Sequence, residues 1–273
     1  LDVIGRRVFG KRPLLMNREE FEQKETADRL IAALRQEEFV LYTQAIVPLI
    51  PDAEEPAYRE ILVRFLEEEE KLLPPGSFIP ILEGYHLMPY LDRWVVNRAA
   101  RSMRAIRRSN ANPSVRLPRN SINLSSDTLH DRNFAPFVLK QVAAAGVPGA
   151  TFSFEIMCSD AIRLCDQVCA FAEQIRPVGC TFSVASCDGE PASLEMLQRV
   201  MPGFVKIRSG LIGRMDRDPM SAARVDVLNR RCHSMGIRTI AEHVERPETL
   251  EILRQAGVDF AQGFLVGCPE PID

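Results

Sequence analysis

Glu60, Asn123, Glu155, Lys206, Glu242 and Gln262 each fall at or near the end of a short apolar run of strand length. A single carboxylate at a strand end is more often a cap or a surface group than a ligand. Six polar groups in register point to one shared site, whose carboxylate and amide oxygens are of the kind that hold a hard cation. Arg208 interrupts that set. It closes the run Lys206-Ile207-Arg208, and a guanidinium is always charged and cannot ligate a cation.

These residues share a mouth only if their strands share a sheet. Strand-length runs are expected at Phe39–Pro48, Tyr58–Leu66, Ser121–Ser125, Thr151–Met157, Thr181–Ser186, Phe204–Ile207, Arg238–Val244 and Phe260–Val266. Amphipathic helices alternate with them at Pro89–Arg108, Phe134–Ala145, Ala161–Gln174, Ala222–Met235 and Pro247–Ala256. Gly146 and Gly236 each stand just after a helix, where a left-handed cap is needed. Eight such units predict an α/β fold, a TIM-like (β/α)8 barrel, whose chemistry collects where the strands end. A doubly wound open sheet is the weaker reading, because no Gly-rich phosphate turn follows the first strand. Residues 1–37 read as a helical lead-in, with Asn17 as cap and Leu30, Ile31 and Leu34 on one face, and residues 38–273 as the barrel.

Composition excludes several classes. The 273 residues are 46% hydrophobic and 26% charged, enough for one large core, which rules out disorder and fibre architectures. A net charge of −3 gives no general attraction to nucleic acid, and the arginines from Arg93 to Arg119 read as the solvated face of a helix. Seven cysteines without a C-x-x-C pair argue against a disulfide framework or a zinc site and for a reducing, cytoplasmic setting. No run approaches the ~18 apolar residues of a membrane span, and the start carries no secretory signal. Because the chain opens on Leu1 rather than Met, it is expected to be a piece of a longer protein with domains upstream.

Further motifs complete a pattern: Glu60-Ile61-Leu62 followed by Arg64, Leu91-Asp92-Arg93-Trp94-Val95, Asn123-Leu124-Ser125, Phe154-Glu155, Ala241-Glu242-x-Val244-Glu245, and Gln262-Gly263 with Gly267-x-Pro269. In order and spacing, from about Glu38 to Pro271, the chain resembles the EAL family of cyclic di-GMP phosphodiesterases. The resemblance implies an EAL-type barrel, with Glu60, Asn123, Glu155, Lys206, Glu242 and Gln262 matching the catalytic machinery. It also implies nucleotide contacts at Gln44, Leu62 and Arg64 around one guanine and its phosphate, and at Asp92, Glu245 and Pro269 around the other. His243 stands where the family usually has Gly, and either stacks on a base or fills space.

Three departures bear on activity. Ala185-Ser186 occupies the place of the family's Asp-Asp pair, Arg208 that of the aspartate in Lys-Ile-Asp, and Cys158 that of a second acidic group after Glu155. The hydrolysing pattern would gather a net charge of roughly −5 at the mouth; here Glu60, Glu155 and Glu242 against Lys206 and Arg208 leave roughly −1. A two-metal centre is therefore not expected. At most one weak ion is expected, on Glu60, Asn123 and Glu155, with no cofactor required and Mg²⁺ or Mn²⁺ relevant only to residual hydrolysis. Arg208 is expected to pair with a phosphate or with Glu155, and Asp188 to stay outside the site.

The function implied is a catalytically degenerate EAL domain acting as a cyclic di-GMP sensor or effector in bacterial signalling. A protein-interaction domain that no longer binds nucleotide and a weak phosphodiesterase remain alternatives. In the first of these, Arg64 would be tied to Glu60 and Asp92 would merely cap its helix. Protein partners or upstream signalling domains are expected, and a homodimer is left open.

Overall fold

The computed structural model of the chain describes residues 18–50, 55–67, 71–109 and 116–272. The Asn17 cap and the rest of residues 1–17 lie outside the described residues. Helix α1 (Arg18–Arg35) precedes β1 (Phe39–Pro48) and β2 (Tyr58–Glu67), which pair antiparallel from Phe39 opposite Phe65 to Ile46 opposite Tyr58. A short β3 (Lys71–Leu73) extends the sheet, followed by α2 (Ile79–Gly84) and the long α3 (Met88–Ser109). Parallel strands then alternate with helices: β4 (Arg119–Asn123), α4 (Ser126–Leu129), α5 (Phe134–Ala145), β5 (Phe152–Met157), α6 (Cys158–Arg163), α7 (Cys165–Ile175), β6 (Thr181–Cys187) and α8 (Pro191–Val200). The chain ends with β7 (Phe204–Ile207), α9 (Ser209–Ile212), α10 (Pro219–Ser234), β8 (Arg238–Ala241), α11 (Pro247–Gln255), β9 (Phe260–Ala261) and β10 (Glu270–Pro271).

The sheet closes on itself: β1 pairs with both β2 and β9, and the strands run round as β1-β9-β8-β7-β6-β5-β4-β2. The barrel expected from the alternation is present, with one difference. β1 runs antiparallel to both neighbours, whereas the ladders from β2 to β9 through β4 to β8 are parallel. β1 and β2 are consecutive and antiparallel, so the two form a hairpin-like pair rather than a crossover unit.

Other boundaries shift for local reasons. The expected helix Ala161–Gln174 is two helices broken at Leu164, whose φ of −116° and ψ of 34° leave helical geometry. The strands expected to reach Val244 and Val266 stop at Ala241 and Ala261. There the two segments bond to each other as loops, Val244 N–H to the Gln262 carbonyl at 2.9 Å and Leu265 N–H to the Val244 carbonyl at 3.1 Å. Gly263 makes this possible, because a Cβ at its position would lie 2.3 Å from the Val244 backbone. Helix α8, not anticipated, buries Met196, Leu197 and Val200.

Period-2 alternation sends one side of each strand into the barrel and the other toward the helices. The inner floor is the cluster Ile46, Tyr58, Phe204, Ile240 and Phe260, with Tyr58 and Phe204 centroids 4.9 Å apart and Phe204 and Phe260 5.9 Å apart. Arg119 and Arg238 lie over the Phe204 ring at 4.9 and 4.5 Å and share Glu55 at 3.2 and 2.7 Å. This plug closes the bottom of the barrel to water, so the polar residues one step along each strand form a layer with a dry floor. Outside the barrel, α1 contributes Ala27, Leu30 and Ala33 to the same core as Phe39, Phe65 and Phe78. Because Phe204 holds the floor together, Phe204→Ala is expected to destabilise the protein by about 3–5 kcal/mol in urea unfolding.

Candidate functional site

Immediately above the aromatic floor, β7 places Lys206 at the centre of the barrel, fully buried. Its ammonium donates to Glu60 Oε2 at 2.7 Å and to Glu155 Oε1 at 2.8 Å, with Glu242 Oε1 at 3.8 Å. Glu60 also accepts from Asn123 Nδ2 at 2.6 Å and Gln262 Nε2 at 2.7 Å, and Gln262 in turn donates to Gln44 Oε1 at 3.1 Å. Glu155 Oε2 accepts from Ser121 at 2.7 Å. All six strand-end groups named from the sequence thus meet in one connected network. Ser121 and Ser183 belong to it too and were missed; only their place on the inward side of β4 and β6 signals them.

The network sets the charges. Burial pushes the Glu60 carboxyl up, but the Lys206 ammonium and the bonds from Lys206, Gln262 and Asn123 outweigh burial and hold it below the usual range. Glu155 is pushed up, first by burial and then, against Lys206, by the charges of Glu60 and Glu242. Glu242 rises for the same leading reason, burial. Burial alone would lower Lys206, yet three carboxylates keep it well above its ordinary value and therefore charged.

The family-implied metal pair does not fit these donors. Ala185 and Ser186 bring no carboxylate, and Arg208 brings a cation where the resemblance calls for an aspartate. Among the described residues no cluster of three His, Cys, Asp or Glu has metal-site geometry.

Arg208 does not pair with Glu155, one of the two partners expected for it. Its guanidinium turns to Asp188 at 3.1 Å and stays half exposed. The cause is a register shift between β6 and β7 at Val184 and Cys187, with Ser186 at φ 59° in the left-handed region. The extra residue brings Asp188 to the end of β7, where the Arg208 N–H also bonds the Cys187 carbonyl at 2.8 Å. Asp188, expected outside, is therefore a neighbour of the mouth.

Beside the network, a cavity of about 310 Å³ is lined by Gln44, Leu62, Arg64, Glu245 and Pro269, with Glu60, Glu242 and Gln262 on its inner side. Five of the six expected nucleotide contacts come together there. Asp92 does not line it: it is buried in α3, where its Oδ2 accepts from Ser125 N–H at 2.9 Å, Ser125 Oγ at 2.8 Å and Thr128 Oγ1 at 2.6 Å. Arg64 is not tied to Glu60; it donates to the Val63 carbonyl at 2.9 Å and lies 5.6 Å from the Tyr42 ring centroid. His243, at φ 55°, and the exposed Phe264 complete the cavity. Phe264 was missed, since an exposed aromatic has no periodic signature.

Fold and site define a TIM-like (β/α)8 class of barrel, with a buried lysine–carboxylate network and a cavity beside it at the ends of the strands. The chain belongs to the EAL domain family, whose model matches residues 27–269. It is 28% identical over 246 residues to the cyclic di-GMP phosphodiesterase PdeB of Shewanella oneidensis, covering 90% of this chain and 28% of PdeB. It is 25% identical over 261 residues to the cyclic di-GMP phosphodiesterase PdeF of Escherichia coli, covering 95% and 34%. The chain thus spans about a third of the length of these relatives. The fold matches the Xanthomonas citri FimX EAL domain in complex with c-diGMP, with a TM-score of 0.85 at 23% identity over 93% of this chain and 96% of that one. No helix among the described residues is long and apolar enough to cross a membrane.

Two measurements test the electrostatics. Lys206→Met leaves buried carboxylates without a counter-charge and is expected to cost about 3–5 kcal/mol at pH 8, less at pH 5 as the carboxylates take up protons, read by urea unfolding. Burial pushes the Asp92 carboxyl up from 3.8 to about 6, against the bonds from Thr128 and Ser125. The folded protein then holds this proton to higher pH than the unfolded chain, so its contribution to stability falls as pH rises from 3.8 to about 6. Asp92→Asn is expected to flatten the pH dependence of unfolding across that window.

Proposed function

We propose that this EAL domain binds cyclic di-GMP without hydrolysing it and serves as a sensor or effector module in a signalling protein. The observation that carries this reading is the contrast between two parts of one mouth. On the side that would hold metals, Ala185, Ser186 and Arg208 stand where the resemblance calls for acidic groups. On the other side Gln44, Leu62, Arg64, Glu245 and Pro269 surround a cavity. The phosphodiesterase relatives support cyclic di-GMP as the ligand.

The residues suit the task. Arg64 has donors left beyond its bond to Val63 and offers them to a phosphate oxygen. Glu245, exposed at the rim, accepts two N–H donors from the Watson–Crick edge of guanine, a preference enforced because an unpaired polar edge costs about 1–3 kcal/mol. Gln44 is fixed by Gln262 and by its own bond to the Gly267 carbonyl at 3.0 Å, so it presents a set orientation. Without the carboxylates that hold an ion pair, no attacking water is activated and no leaving oxygen is steadied.

Calorimetric titration with cyclic di-GMP in EDTA, then in Mg²⁺ or Mn²⁺, followed by chromatography for linear product, tests this. Binding in EDTA with no product under either metal is expected, and Arg64→Ala is expected to weaken it by roughly a hundredfold. Product formation with Mn²⁺ would make the domain a phosphodiesterase, and absence of binding would make it an interaction module.

A further inference from the structure

Away from the strand ends, α1 and α3 bound a second cavity of about 490 Å³ that shares no residue with the mouth. Its floor is apolar: Leu34 from α1, Trp94 from α3 and Phe137 from α5 are each only partly buried. Tyr90 stands at its edge, 37% exposed. Such a groove is hydrophobic surface that the fold itself leaves uncovered.

Its rim is strongly basic. Four arginines, Arg35, Arg93, Arg98 and Arg101, line it against one acid, Glu37, in a chain whose net charge is −3. Arg93 is committed, bonded to Asp131 at 2.5 Å and lying over the Phe137 ring at 4.7 Å. Arg98 and Arg101 are not. They share Glu37 at 3.9 and 3.8 Å, the limit of ion-pair contact, and their side chains are 48% and 66% exposed. The exposed Arg104 and Arg108 continue the row at helical spacing along α3.

We propose that this groove docks an acidic amphipathic helix of a partner protein, its apolar stripe on Trp94 and Phe137 and its carboxylates against Arg98 and Arg101. Helix-in-groove recognition needs an apolar trough and anchors spaced by three or four residues, and charge on the rim sets which helix is accepted. The chain's own residues 1–17 are the wrong sign, with Arg6, Arg7, Lys11 and Arg12 against Asp2 alone. A second copy set face to face would bring two arginine rows together, which like-charge repulsion opposes.

Trp94 is the chain's single tryptophan, so its emission reports on this groove alone. The probe is a designed helical peptide about five turns long, with leucines at i, i+3, i+4 and i+7 and glutamates on the flanks. Its control carries lysine for every glutamate. The glutamate peptide is expected to shift Trp94 emission saturably and to bind roughly tenfold more weakly to the Arg98→Glu, Arg101→Glu double variant, with the lysine peptide restored there. Both substitutions are at exposed positions, and circular dichroism checks the fold. Cyclic di-GMP titration of the same variant is expected to be unchanged, which separates this surface from the mouth. Equal response to both peptides, no response to the glutamate peptide, or insensitivity to the double variant overturns the proposal. Sedimentation of a dimer that the double variant abolishes, or co-sedimentation of the protein with phosphatidylserine vesicles in preference to the glutamate peptide, overturns it in favour of a second copy or a lipid surface.

Discussion

A single ammonium, that of Lys206, lies within 2.7 and 2.8 Å of two carboxylates and 3.8 Å of a third, with no exposure to solvent. Taking a charge out of water costs several kcal/mol, so the lysine and its carboxylates are tolerable only together. That constraint ties β2, β5, β7 and β8 to one point, through Glu60, Glu155, Lys206 and Glu242. It also spreads outward: Glu60 orients Asn123 and Gln262, and Gln262 orients Gln44 at the wall of the cavity. The shape of the cavity is in this sense set from the barrel's centre.

The network holds because its floor is dry and rigid. Tyr58, Phe204 and Phe260 fill the barrel one step below it, and Arg119, Arg238 and Glu55 seal those rings from beneath. Closure of the sheet by the antiparallel β1 completes the enclosure and brings Gln44 directly opposite Glu60. With water excluded below, the hydrogen bonds and charges above are worth more than they would be in solvent.

Arginine is used in three distinct ways on this scaffold. In the floor it stacks on aromatic faces and is neutralised by Glu55. At the mouth, Arg208 is held by Asp188 yet half open to solvent. Along α3 it forms an exposed row beside an apolar groove. The guanidinium's permanent charge is common to all three, and only the surroundings decide whether it packs, braces or attracts.

Much of this was legible in the residues. The alternation of apolar runs implied the barrel, and the polar group closing each run named Glu60, Asn123, Glu155, Lys206, Glu242 and Gln262, because strand period places such residues on one rim whatever the loops do. That Ala185, Ser186 and Arg208 are not acidic is likewise a property of the sequence alone. What only the tertiary structure decided are the relations that depend on register and direction. These are the antiparallel β1, the shift in β6 that hands Arg208 to Asp188 instead of Glu155, and the burial of Asp92 beneath Ser125 and Thr128. The meeting of α1 with α3 that opens the second groove belongs with them. Local pattern specifies which way a side chain faces along its own element; which partner it meets is settled when distant segments pack, and one residue of slip in a strand is enough to change the answer.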